Sequence, residues 1–151
     1  MKTTIALAFA LFAFPAQGIS REQCDVLREK NHALLVALEE TECAGIELNE
    51  RPLAVGDAGS AHGWLQLHIG HYRDAKKESP WLPSYEEVCK DKELSECVAV
   101  SVWQKYSKKC KTDEQKARVH NGGPTWNLRK KAITNTLKYW KSVKSHLTKW
   151  K

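Results

Sequence analysis

The 151-residue sequence lacks internal repeats, low-complexity linkers and, after about residue 18, any apolar run long enough to span a bilayer. The absence of repeats excludes solenoid and propeller architectures. The chain is long enough for one domain with a substantial core but short for two. We therefore expect a single domain over residues 19–151.

The first 18 residues are typical of a signal peptide. Lys2 precedes the apolar run Ile5–Phe14, and the small residues Ala16 and Gly18 follow it. The run is too short for a transmembrane helix. We therefore expect secretion, extracellular or periplasmic, into a compartment where disulfides form.

Cysteines are few, and none of their spacings gives a CxxC zinc pattern. The mature chain would hold five: Cys24, Cys43, Cys89, Cys97 and Cys110. We expect two disulfides and one remaining thiol. The sequence does not fix the pairing, although the short separation of Cys89 and Cys97 favours that pair.

Acidic residues are scarce in the last third of the chain. Residues 105–151 contain 14 Lys or Arg against 2 Asp or Glu, whereas residues 19–104 contain 9 against 16. A basic flank attracts polyanions such as anionic wall polymers or lipid headgroups. A solvated lysine-rich face is an equally weighted alternative. Because no nucleic-acid motif accompanies the charge, we expect no nucleic-acid partner.

Helical periodicity dominates the rest of the sequence. Capping boxes begin helices at Ser20, Ser84 and Thr112. The first helix is predicted from about Arg21 to about Cys43, and a short one over residues 68–77.

Two further segments complete the predicted fold. Residues 133–150 form an amphipathic helix, expected to dock on the domain rather than lie on a membrane. Residues 44–67, rich in glycine, predict loops with short strands. The fold class is therefore mainly α, of α+β type, with the glycine-rich segment forming one side of a cleft.

Acidic residues cluster at the end of the first predicted helix, at Glu39, Glu40 and Glu42. Glycoside hydrolysis needs an acid that protonates the leaving oxygen and a second group that places water or stabilises positive charge. A glutamate in a partly apolar cleft can remain protonated near neutral pH. Composition alone favours the alternative, an ordinary acidic helix end on the surface.

Two glycine-containing segments carry further polar residues. In residues 54–68, a tight turn could direct Asp57 into a cleft, and Gln66 lies between two leucines where an inward amide needs a partner. In residues 117–124, His120 and Asn121 precede a glycine pair that allows close backbone approach to a ligand. The alternative for this second segment is a helix C-cap with an adjoining turn.

These pieces resemble the lysozyme superfamily, most closely the invertebrate-type lysozymes and related small peptidoglycan-cleaving proteins. After the glutamate that ends the first helix come AVGDAGSAHGWLQL, HYRDA, ARVHNGGP and TLKYWKSV, in that order. They extend over roughly residues 34–143. Two departures from the family are the small number of cysteines and the Cys43-Ala44 pair where Ser-Gly usually follows the glutamate.

The resemblance implies a lysozyme-like fold and a muramidase active on the β-1,4 bonds between N-acetylmuramic acid and N-acetylglucosamine in peptidoglycan. It implies Glu42 as the acid, with Glu39 and Glu47 as alternatives, and Asp57 as the second carboxylate. Residues implied in substrate binding are Ser60, Gln66, His68, His120, Asn121 and Gly122.

Two other functions fit the same pattern. One is a non-catalytic, cationic wall- or membrane-binding antimicrobial protein on this scaffold, and the other is a lytic transglycosylase. We expect a monomer without cofactor or metal, because histidines grouped near a glycine turn, such as His62, His68 and His71, more often hydrogen-bond than ligate.

Overall fold

The computed structural model describes residues 18–150, and the side chain of Trp150 is outside the description. The predicted signal peptide, residues 1–18, lies outside the described residues except for Gly18. In the described part the chain is mainly helical, as predicted, with seven α-helices and one small sheet. The helices are α1 (Arg21–Lys30), α2 (His32–Glu42), α3 (Ile69–Glu78), α4 (Tyr85–Lys90), α5 (Lys92–Lys105), α6 (Asp113–Gly122) and α7 (Lys130–Leu147).

The helix starts follow the local sequence. Ser20, Ser84 and Thr112 each accept a hydrogen bond from the backbone N–H three residues on and form the predicted capping boxes of α1, α4 and α6. At the other end of α6, Gly123 adopts φ +70°, which glycine tolerates and which terminates the helix. These local predictions are confirmed.

The single helix predicted over residues 21–43 is wrong, because the chain breaks at Asn31 between α1 and α2. The Asn31 side-chain amide donates to the Leu27 carbonyl at 2.7 Å, and its oxygen accepts from Lys116 Nζ at 2.7 Å. Short amide side chains compete with the backbone for such hydrogen bonds. The contact with Lys116 then holds the break against α6.

The sheet consists of three short antiparallel strands in sequential order, β1 (Val55–Gly56), β2 (Ala61–His62) and β3 (Leu67–His68). Asp57 and Ala58, with φ of 47° and 54°, turn the chain between β1 and β2. Gly63 has φ +74°, and a Cβ there would lie 1.9 Å from the Cys89 carbonyl oxygen. The glycine-rich segment therefore forms short strands and loops, as predicted.

The core surrounds α5, where residues 95–103 are all buried. α3 packs along α5, while α1 and α4 contact it from other sides. α7 lies against α2 and α6 through the buried Thr136, Val143 and Leu147. The final helix is therefore docked on the domain. No helix in the described range is both long and apolar enough to cross a membrane.

One disulfide is present among the described residues, and it joins Cys24 of α1 to Cys97 of α5, with Cα atoms 5.8 Å apart. The predicted pair Cys89–Cys97 is wrong, because Cys97 faces α1 while Cys89 packs against Gly63. The expectation of two disulfides is also wrong: Cys43, Cys89 and Cys110 are free and buried. Burial raises the pKa of the Cys43 and Cys110 thiols to about 11, which makes them poor nucleophiles.

Candidate active site

Glu42 is the last residue of α2, and its side chain lies against α6 and α7. Its Oε1 accepts a hydrogen bond from the Tyr139 hydroxyl at 2.6 Å and lies 3.4 Å from His120 Nε2. The side chain is 17% exposed. The packing of α7 against α2 thus holds this carboxylate in a partly sheltered position with access to solvent.

Tyr139 on α7 acts as a permanent donor to this carboxylate. Burial, together with the neighbouring Glu42 charge and hydrogen bond, raises the pKa of the Tyr139 hydroxyl well above its usual value. The hydroxyl therefore keeps its proton at neutral pH and well above it. Tyr139 was not among the predicted site residues, although its helical spacing from Thr136 and Val143 places it on the docked face of α7.

His120 on α6 joins the Glu42 side chain to the glycine-rich segment. Its Nε2 lies 3.0 Å from the Leu65 carbonyl oxygen. A carbonyl only accepts, so Nε2 carries the hydrogen. The ring is almost completely buried and stacks on His71, with centroids 5.7 Å apart and planes inclined by 14°. His120 therefore ties the end of α6 to the turn that precedes β3.

His71 continues the row of rings away from Glu42. Its Nε2 donates to the Val119 carbonyl at 3.4 Å. Burial, and secondly the neighbouring His120, lower the pKa of His71 to about 4. The ring is therefore neutral above this pH. The packed interior behind Glu42 consequently contains an uncharged imidazole.

Asp57 lies at the exposed end of this row, in the turn between β1 and β2. Its side chain is 69% exposed, and Oδ2 lies 3.2 Å from His68 Nε2. Ser60 Oγ donates to the Asp57 backbone carbonyl at 2.7 Å, which closes the turn. The His68 ring centroid is 6.3 Å from that of His71. The rings of His68, His71 and His120 thus form a row that runs from Asp57 to Glu42.

Two of the remaining predicted binding residues, Gln66 and Gly122, have evident structural roles. Gln66 is 9% exposed and donates from Nε2 to the Gly63 carbonyl at 3.0 Å. A Cβ on Gly122 would lie 2.5 Å from Thr136 Cγ2, so glycine here permits the close packing of α6 on α7. Asn121 is exposed beside it. Of this group, Asn121 presents its side chain to solvent, whereas the Gln66 amide faces the interior.

The other glutamates near the end of α2 have different surroundings. Glu39 is 3% exposed and forms ion pairs with Arg51 at 2.6 Å and Lys92 at 2.5 Å. Glu40 shares Arg51 at 3.2 Å, and Glu47 lies in an exposed turn. Arg51 and Lys92 were not predicted as partners of Glu39, because they are distant along the chain and lack helical spacing to it. Glu42 is the member of this cluster held by a hydroxyl and an imidazole.

A groove of about 300 Å³ runs beside β1, close to the turn that carries Asp57. Residues 52–55, His62 and Tyr85 line it, with Glu86 and Lys90 among the remaining lining residues. Neither Glu42 nor Asp57 contributes to its lining. Comparisons with models of protein families, with curated protein sequences and with solved structures gave no significant match.

Proposed function

We propose that this protein is a secreted glycoside hydrolase that cleaves the β-1,4 bond between N-acetylmuramic acid and N-acetylglucosamine in bacterial peptidoglycan. The observation that carries the proposal is the placement of Glu42 at a helix end, partly sheltered and bound to the Tyr139 hydroxyl and near His120. The glycine-rich turn with Asp57 is linked to this position through His68, His71 and His120.

In this proposal Glu42 transfers its proton to the glycosidic oxygen as the bond to the anomeric carbon breaks. Tyr139 holds the carboxyl group in one orientation, since its hydroxyl donates to Oε1 at 2.6 Å. Asp57, on the exposed turn, places a water molecule or stabilises the oxocarbenium-like positive charge. A water molecule then forms the new bond to the anomeric carbon, and the proton that it loses returns to Glu42, directly or through Asp57 and solvent.

Two further observations support the proposal. The strings AVGDAGSAHGWLQL and ARVHNGGP, which resemble those of invertebrate-type lysozymes, contribute Leu65 and His120 to one hydrogen bond. The Cys24–Cys97 disulfide is typical of proteins that mature in an oxidising compartment, as a secreted enzyme does.

A lytic transglycosylase is the second candidate. It needs the glutamate alone and leaves an anhydro sugar at the cut end. The contact between Asp57 and His68 at 3.2 Å favours it, because that carboxylate already has a partner. Mass spectrometry of digested wall separates the two reactions, since hydrolysis adds water and leaves a reducing sugar.

The deciding experiment compares wild-type protein, Glu42→Gln and Glu29→Gln in a turbidity assay on purified peptidoglycan. Glu29 is an exposed residue of α1 and provides the same chemical change away from the site. We expect Glu42→Gln to lower the rate of lysis by about 10²- to 10⁴-fold, the range for loss of a general acid. Circular dichroism checks that both variants retain the fold.

Full lysis by Glu42→Gln would exclude Glu42 as the acid. Wild-type protein that leaves purified peptidoglycan intact would contradict the enzymatic proposal as a whole. A protein that binds the wall without cutting it would then be the better description.

A further inference from the structure

α7 contains no acidic residue and carries five lysines: Lys130, Lys131, Lys138, Lys141 and Lys144. All five are exposed. Among the residues that the structure describes, none of the five lies within ion-pair distance of a carboxylate. Their charge is therefore directed to solvent rather than used inside the fold.

Two apolar residues lie in the middle of this basic surface. Ile133 and Leu137 are each 39% exposed. Lys130, Ile133, Leu137, Lys141 and Lys144 follow one another at intervals of three or four residues and so share one face of the helix. We refer to these five residues as the outer strip. It has an apolar centre with lysines at both ends.

The neighbouring side of α7 is already occupied by the domain. Thr136, Val143 and Leu147 are buried against the rest of the domain, and Arg118 donates to Thr136 Oγ1 at 3.1 Å and to the Ile133 carbonyl at 2.9 Å. The helix can therefore present the outer strip to a partner without leaving its position. No unfolding or rearrangement is needed for contact.

We propose that the outer strip docks the folded protein on an anionic phospholipid bilayer. Lysine ammonium groups meet the headgroup phosphates while their methylene stems and the side chains of Ile133 and Leu137 enter the acyl boundary. A soluble polyanion offers phosphates without an apolar phase and leaves Ile133 and Leu137 unused. The combination of charge and exposed apolar surface thus favours a bilayer over a wall polymer. The inference is independent of any catalytic activity.

The test uses cosedimentation of the full protein with vesicles of equal parts phosphatidylglycerol and phosphatidylcholine, and with vesicles of phosphatidylcholine alone. We expect binding to the anionic vesicles that weakens as salt rises. Lys130→Gln/Lys141→Gln/Lys144→Gln should weaken binding by about 100-fold, because each lysine near such a surface contributes about fivefold. Lys77→Gln/Lys108→Gln/Lys111→Gln is the control with the same charge change on exposed residues outside α7.

The apolar contribution is tested with Ile133→Ser/Leu137→Ser, for which Val26→Ser/Leu53→Ser provides a control at exposed apolar positions elsewhere. We expect the first pair to weaken vesicle binding by about tenfold or more and to leave binding of soluble polyphosphate unchanged. Thermal melts verify that the variants are folded.

Three results would overturn the proposal. Wild-type protein that does not sediment with anionic vesicles would contradict it. So would equal losses from the strip lysines and the control lysines. Vesicle binding by Ile133→Ser/Leu137→Ser at wild-type strength would replace the bilayer with a polyanion as the partner.

Discussion

Glu39 and Glu42 are three residues apart on one helix, yet the fold gives their side chains different partners. Glu39 is buried between two cations, Arg51 and Lys92. Glu42 is bound by the Tyr139 hydroxyl and approached by His120. A doubly ion-paired carboxylate is suited to joining loops and helices, whereas one held by a hydroxyl and partly open to solvent is suited to exchanging a proton. The difference separates a structural glutamate from a candidate catalytic one.

The largest expected loss of stability comes from substituting Glu39, the ion-paired glutamate. Glu39→Gln leaves Arg51 and Lys92 without their buried partner, and removal of one member of such a pair costs about 3 kcal/mol. Urea denaturation should show this loss, while lysis of peptidoglycan by the folded variant stays within a few-fold of wild type. Glu86→Gln, which breaks the exposed pair with Lys90 at 2.7 Å, should leave the denaturation midpoint nearly unchanged. Loss of lysis in folded Glu39→Gln would erase the distinction between the two glutamates.

The neutral His71 ring predicts a dependence of stability on pH. The unfolded chain takes up a proton at His71 as the pH falls through 6.5, whereas the folded protein does so only near 4. The folded state binds fewer protons in this window, so its stability decreases as the pH drops from 6.5 to 4, by about 2–3 kcal/mol from this group. Denaturation midpoints measured from pH 7 to pH 4 should be less pH-dependent in His71→Phe, which keeps an aromatic ring against His120. An unchanged dependence would mean that the ring is already charged in the folded protein.

The smallest expected loss of stability comes from removing the Tyr139 hydroxyl that binds Glu42. Tyr139→Phe removes the 2.6 Å hydrogen bond and should cost about 1 kcal/mol of stability. Because the carboxyl group loses its orientation, we also expect kcat to fall by about tenfold with little change in KM.

Tyr72→Phe is the matched control for that variant. It removes an equally short bond, from the Tyr72 hydroxyl to the Pro83 carbonyl at 2.6 Å, far from Glu42 along the chain. A similar stability loss with unchanged kcat is expected. If both variants reduce kcat alike, Tyr139 has a structural role only.

Local signals were sufficient to predict several elements. Capping boxes at Ser20, Ser84 and Thr112 and the glycine that ends α6 act through neighbours within four residues, so they can be recognised without the fold. The amphipathic pattern of the last helix likewise predicted its docking, because its apolar side needs a surface to cover.

Features that depend on distant residues could not be predicted in this way. The break at Asn31 involves Lys116, 85 residues away, and the partner of Cys97 depends on which side of α5 meets α1. The positions of Arg51, Lys92 and Tyr139 around the two glutamates follow from packing between elements. The sequence could indicate which carboxylates to consider, but their partners are set by tertiary structure.

The disulfide described above has a consequence for how the candidate site is assembled. By linking Cys24 to Cys97 it closes a covalent ring of chain that contains Glu42, Asp57, His68 and His71. Tyr139 and His120 lie outside this ring, on segments attached only by packing and by the chain after α5. Cleavage of the chain between Glu42 and Asp57 would therefore leave the two carboxylates on fragments that the disulfide still joins. Cleavage between α5 and α6 would instead leave the Tyr139 hydroxyl and the His120 imidazole held against Glu42 by non-covalent contacts alone.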